Sequence, residues 1–263
     1  MIILERIDQS SGRTDLDGDD SAPLPLRDRY PPWGWRQCLL GVIAAIGAIL
    51  LLVAIIGVVA EIRGDRNTQS IPNLLTGLVA TVGLEATLFG VAAGMTARRF
   101  RGGLGLLGWR MKPVPEWIGW SMLAVLLAWI TLLAYAAIVH AVGLGDFGPK
   151  SNVPEGIFEH PQTVVLAVFL TVVAAPVCEE TFFRGFLFNG LRRRLGFAAA
   201  ASVSGVLFAL AHLAGTLIIP FTVIGVIFAF TYRRTGTLWA NVVTHMTFNL
   251  VSVIGALLTG GKN

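Results

Sequence analysis

Six ionisable side chains stand in or beside apolar stretches of this chain: Glu85, Glu179, Glu180, Arg184, His212 and His245, five of them between positions 179 and 245. An ionisable group at bilayer depth costs roughly 2.5–3.5 kcal/mol on insertion scales, so each asks for a partner or a task. Glu180 and Arg184 are four residues apart, share one helical face and can pair. Glu179 lies about 100° around the same helix and has no cation near it in sequence. Pro176 lacks an N–H and is expected to kink the span just before the carboxylates. In His245-Met246-Thr247-Phe248-Asn249 the first and last residues share a face. Both can donate hydrogen bonds toward a developing oxyanion. His212 closes the apolar run Phe208-Ala209-Leu210-Ala211. Each feature alone has a plainer reading: an ion pair tying a bundle together, interhelical hydrogen bonds, a packed histidine. Together they come from three different helices, and a dry bundle has no need of them all.

The elements that position these residues are membrane spans. Hydrophobic residues make up 54% of the 263 positions, charged residues only 14%, and mean hydropathy is +0.70. A soluble chain carries about 25% charged residues, so too few are present to clothe a globule of this size. Cys38–Ala60, Pro72–Ala97 (interrupted only by Glu85) and Trp117–Val139 each suffice for one span. A fourth span opens at Thr163 and runs through Glu179, Glu180 and Arg184 toward Leu191. The uncharged run Phe197–Tyr232 is too long for one span and divides near His212–Thr216 into a short fifth and sixth. Leu238–Leu258 is the seventh. The expectation is an all-α polytopic bundle of seven spans, or eight with an added interfacial helix. Residues 1–36 form a polar tail, read as disordered and cytoplasmic. Residues 37–143 form the N-terminal spans, and residues 162–258 the catalytic ones. Asp15, Asp17 and Asp19 alternate like a calcium loop, but the closing glutamate of such a loop is missing.

Basic residues orient the spans. Fifteen of the twenty Lys and Arg residues fall on one side of a seven-span chain and four on the other, with Arg184 inside a span. By the positive-inside rule the N-terminus and the Arg192–Arg194 loop are cytoplasmic. The positive net charge of +4 is thus topological and gives no motive for a nucleic-acid partner. Several chemistries lack their motifs. There is no His-Glu-x-x-His and no Gly-x-Ser-x-Gly. Cys178 adjoins Glu179 without an evident activating base, and two cysteines make no disulfide framework. Zinc remains open, because Glu179, His212 and His245 are a ligand set that would leave one position for water. Glu85 needs a partner or a proton, and the sequence assigns it neither.

Glu179-Glu180-x-x-x-Arg184, Phe208-x-x-x-His212 and His245-x-x-x-Asn249 resemble the three motifs of the CAAX protease and bacteriocin-processing family (CPBP or Abi). That family includes the prenyl-protein endopeptidases that trim CaaX termini. The motifs occur in family order on successive late spans, over about residues 162–255, while residues 1–110 carry no usable signature. The resemblance implies a multi-pass intramembrane endopeptidase of a bacterial cell membrane, its site in a cavity open toward the cytosol. It implies that Glu179 activates the water, that His212 helps to orient or activate it, and that His245 and Asn249 stabilise the oxyanion. Glu180 and Arg184 become supporting residues. A metal-free glutamate mechanism is favoured over zinc. The implied substrate is a membrane-associated peptide or protein, prenylated CaaX tails being one choice.

Two other classes fit the polar cluster: a non-proteolytic scaffold or bacteriocin-immunity-like protein, and a proton-coupled transporter. The transporter lacks paired broken helices in two symmetric halves. One difficulty is geometric. His212 lies about 22 Å along the fifth span and His245 only about 11 Å along the seventh, yet one site needs both. A strongly tilted fifth span or an unequally sunken turn is required.

Overall fold

The computed structural model describes residues 31–64, 67, 69–149 and 154–258; the tail expected over residues 1–36 lies outside these but for its last six positions. The described chain is a helical bundle. α1 (Trp35–Arg63), α2 (Ile71–Met95) and α3 (Ile118–Ala141) match the first three expected spans, and α7 (Leu238–Leu258) the last. By length and apolarity, six helical stretches among the described residues can cross a membrane, one of them holding two of the seven expected spans. The difference lies in Pro161–Ala211, a 51-residue helical stretch that the sequence reading divides in two.

Gly196 divides that stretch. Its backbone sits at φ 72, ψ −175, a conformation open essentially to glycine alone. The chain reverses there. Ser204 Oγ donates to Phe183 O at 2.9 Å, Phe183 meets Phe208 edge-on at 5.4 Å, and Phe188 meets Phe197 at 5.9 Å. These contacts define two antiparallel arms, α4 (residues 161–195) and α5 (residues 197–211). α6 (Ile218–Thr235) returns alongside α5. α5 and α6 touch backbone to backbone: a Cβ on Gly225 would come within 2.6 Å of Gly205 Cα. Small residues allow such closeness where lipid provides no hydrophobic drive for helix association.

α4 is not a regular helix. Wider i→i+5 turns cover Leu170–Ala174 and Thr181–Phe188, and the short α-helical segment Ala175–Glu180 lies between them. Pro176, which cannot donate to the ladder, accounts for the first widening and replaces the expected kink. The two carboxylates thus sit between two unwound turns.

One end of the bundle gathers the basic and indole side chains. Arg194 lies 4.9 Å over Trp35, and Arg234 lies 5.1 Å over Trp120. Trp109 and Trp239 pack at 4.9 Å. Indoles and cations collect where a bundle meets the headgroups. The linker 96–117 folds across this end: Leu238 N donates to Gly108 O at 2.8 Å, Thr237 Oγ1 to Arg110 O at 2.8 Å, and Tyr232 Oη to Leu107 O at 3.3 Å. α7 therefore starts inside the bundle, under the linker, with Leu238 fully buried. That sunken start resolves the mismatch in depth between His212 and His245.

Candidate functional site

The hairpin at Gly196 fixes which residues of α4 and α5 face each other. Phe183 opposes Phe208; four residues further along each arm, Glu179 opposes His212, whose Nε2 lies 3.9 Å from Glu179 Oε2. From α7, His245 Nε2 approaches the same oxygen at 3.9 Å. Three spans thus aim one carboxylate oxygen and two imidazole nitrogens at a common gap. Glu179 Oε2 is buried and accepts no hydrogen bond from any described residue. Beside the gap is a cavity of about 20 Å³ lined by Phe208, His212, Phe221, Ile224, Phe228, His245, Phe248 and Asn249. It has room for about one water.

The far nitrogen of each imidazole is already committed. His212 Nδ1 lies 2.8 Å from Phe208 O, the carbonyl four residues back. A carbonyl only accepts, so Nδ1 carries the hydrogen and a neutral ring presents a bare Nε2 to the gap. His245 Nδ1 lies 3.0 Å from Glu180 Oε1, and the same reasoning makes it the donor to that carboxylate.

Glu180 is the hub of the fully buried network below. Arg184 Nη1 donates to its Oε1 at 2.8 Å, the pairing expected from the spacing of four, and Asn241 Nδ2 donates to Oε2 at 3.2 Å. Asn241 also donates to Phe228 O at 2.8 Å. The Arg184 guanidinium lies over Phe208 (4.3 Å) and Phe228 (5.0 Å), two rings of the cavity wall. Such cation–ring contacts strengthen when water is excluded. One network therefore fixes the His245 ring and the aromatic walls together.

Asn249 reaches the cavity from one turn beyond His245 and donates through Nδ2 to Thr171 O at 2.8 Å. That carbonyl belongs to the wide turn Leu170–Ala174. The second hydrogen of the amide is left for another acceptor. Asn241 is absent from the motifs read in sequence. It precedes His245 by four residues, as Asn249 follows it, so one face of α7 carries all three. That spacing was the available signal. Glu85 on α2 is buried, its Oε2 has no hydrogen-bond partner among the described residues, and it lies close enough to Glu179 for their charges to interact.

The three residues offered to zinc do converge, but with N–O separations of 3.9 Å. Among the described residues no group of three or more His, Cys, Asp or Glu side chains is placed to hold a metal ion.

The family match falls on the helices that carry this site. Residues 161–251 match the family described as Type II CAAX prenyl endopeptidase Rce1-like. A Bacillus subtilis (strain 168) protein named "Putative membrane peptidase YdiL" is 28% identical over 139 residues, covering 52% of this chain and 57% of that protein. The Staphylococcus aureus (strain USA300) protein named "Membrane-embedded CAAX protease MroQ" is 31% identical over 155 residues, covering 56% of this chain and 61% of that protein. The chain thus spans under two thirds of either relative's length. No solved structure is a significant match. The resemblance of the three motifs to the CAAX protease family stands on the family match and on both relatives.

Proposed function

We propose that this chain is an intramembrane endopeptidase that hydrolyses a peptide bond of a membrane-associated polypeptide with a water activated by Glu179. The observation that carries the reading is the pair of 3.9 Å approaches to Glu179 Oε2. Each is the span that one oxygen bridges with two hydrogen bonds of ordinary length. In the reaction Glu179 takes a proton from the water as its oxygen bonds to the carbonyl carbon, and the bare Nε2 of His212 orients the other O–H. The carbonyl oxygen becomes an oxyanion, received by the free Asn249 N–H and by His245. That task needs a hydrogen on both ring nitrogens of His245, and Glu180 supplies the counter-charge. The C–N bond then breaks, the proton held by Glu179 passes to the leaving nitrogen, and an acid and an amine are released. No step needs a metal.

Glu179→Gln keeps the size of the side chain but cannot accept the water's proton. Reconstituted protein offered a farnesylated CaaX peptide and a panel of unprenylated membrane peptides should cleave at least one of them, and the variant none. Equal behaviour of wild type and variant on every substrate sinks the protease reading in favour of a scaffold with a structural polar cluster.

A further inference from the structure

Glu85 is a buried carboxyl to which the reaction above gives no task. It stands on the inner stripe of α2 with Leu78, Leu88 and Ala92. Only 4% of the residue is exposed, and its enclosed Oε2 has no hydrogen-bond partner among the described residues. The packing of α2 on α4 shows what it faces. Leu74 and Leu78 share a buried cluster with Leu170 and Ala174. Further along both helices, Leu88 and Phe182 line one groove. Further still, Val91 and Phe186 both come within 3.5 Å of where a Cβ on Gly41 would lie. Progress along one helix matches progress along the other, so the two run parallel and in register. Between Leu78 and Leu88 on α2 stands Glu85; between Ala174 and Phe182 on α4 stand Cys178 and Glu179. The charges of the two carboxylates reach each other and Cys178.

No cation serves Glu85. α1 between Arg36 and Arg63, α2 throughout and α4 before Arg184 carry no Lys or Arg, and Arg184 is held by Glu180. Two carboxylates that share one site of low dielectric do not both ionise. Glu179 has two imidazoles at 3.9 Å and can hold the charge. Glu85 has nothing to offset a charge at bilayer depth, so the proton stays there.

We infer that Glu85 is a positioning residue for Glu179: as a neutral acid it leaves the single negative charge of the pair on Glu179 and donates its hydrogen toward that carboxylate, directly or through one water. Oε2 of Glu179 is enclosed between the histidines, although 12% of the side chain is exposed. Oε1 is therefore the oxygen left for this donor, while Oε2 serves the attacking water. A hydrogen bond to a charged group is a strong one, and here it keeps Oε2 turned to the gap. The effect on rate rests on the protease reading; the proton on Glu85 does not.

The test uses the full chain, reconstituted. Glu85→Met has about the size of glutamate but no hydrogen to give, and Glu85→Gln keeps a donor that cannot ionise. Glu85→Met should lower kcat roughly 10–100-fold, the scale of one hydrogen bond to a charged group. KM should not change, because Glu85 does not line the cavity. The thermal midpoint of Glu85→Met should match or exceed wild type, since Oε2 has no bond to lose and an unpartnered polar group leaves the interior. Glu85→Gln should bring kcat back to within about threefold of wild type. The proton itself is read by infrared difference spectroscopy at neutral pH: a protonated-carboxyl C=O stretch should persist in Glu179→Gln and vanish in Glu85→Gln. Wild-type kcat in Glu85→Met, equal slowing by methionine and glutamine, or slowing that comes with a fallen midpoint overturns the inference. Loss of the band in Glu179→Gln also overturns it. The expected bands with no cleavage of any peptide by wild type keep the proton on Glu85 and remove the protease reading.

Discussion

Glu179 and Glu180 are neighbours in sequence with opposite burdens, and glutamine at each separates stability from chemistry. Glu180 accepts from Arg184, His245 and Asn241 within 3.2 Å, and both it and Arg184 are fully buried. Glu180→Gln leaves the guanidinium with the distant Gly225 O (3.4 Å). It also sets an NH₂ group against a donor. Breaking one side of a buried pair costs about 3–5 kcal/mol. A chain this size loses roughly 2–4 °C of midpoint per kcal/mol, so the apparent unfolding midpoint should fall by about 6–20 °C. Glu179 Oε2 has no hydrogen bond to lose, so Glu179→Gln should stay within about 2 °C of wild type. The assay is intrinsic fluorescence on heating in one detergent at one scan rate, read from the seven tryptophans. Glu180→Met/Arg184→Met should recover part of the loss, since no charge is then stranded. Equal destabilisation by Glu179→Gln and Glu180→Gln would refute the division of labour between the two carboxylates.

Three further outcomes follow from the same geometry. His245→Ala and Asn249→Ala should each slow turnover by about 10²–10³-fold, the scale of a lost oxyanion donor, as initial rates on a cleaved peptide will show. Gly205→Ala puts a Cβ 2.7 Å from Thr222 O. It should cost about 1–3 kcal/mol and lower activity by shifting His212, whereas a midpoint and rate like wild type would show that α5 and α6 do not cross there. Chelator should leave cleavage unchanged; activity that vanishes with chelator and returns with zinc would keep the protease and overturn the metal-free mechanism.

The side-chain pairings of the candidate site were more legible in the sequence than the frame around them. Spacings of four placed Glu180 with Arg184 and His245 with Asn249, because one helix presents such pairs on one face whatever surrounds it. The membrane class and the helix limits of α1, α2, α3 and α7 followed from apolar runs, to within a few residues. What escaped depended on tertiary contact. The reversal between Leu191 and Phe197 was legible from Arg192–Arg194 and the apolar run that follows, but not that Gly196 makes it one tight hairpin. The linker 96–117 reads as a basic loop, and only its hydrogen bonds to Tyr232, Thr237 and Leu238 reveal that it sinks the start of α7. Asn241 carried a legible spacing, but the carboxylate it holds lies on another helix.

The reversal at Gly196 also sets a ruler for the chain. Glu179 and His212 meet because each lies four residues beyond the opposed pair Phe183 and Phe208, measured outward from the turn. A single residue inserted in α5 between the turn and His212 would swing the imidazole about 100° and move it about 1.5 Å along the axis. Glu179 would then face an aliphatic neighbour. Insertions between Glu179 and His212 should therefore be tolerated only when a deletion in the same arm restores the register. The stretch after His212 and before α6 carries no such register and should accept changes in length far more readily. Deep insertion scanning of this chain would map the ruler directly, as a forbidden interval ending at His212.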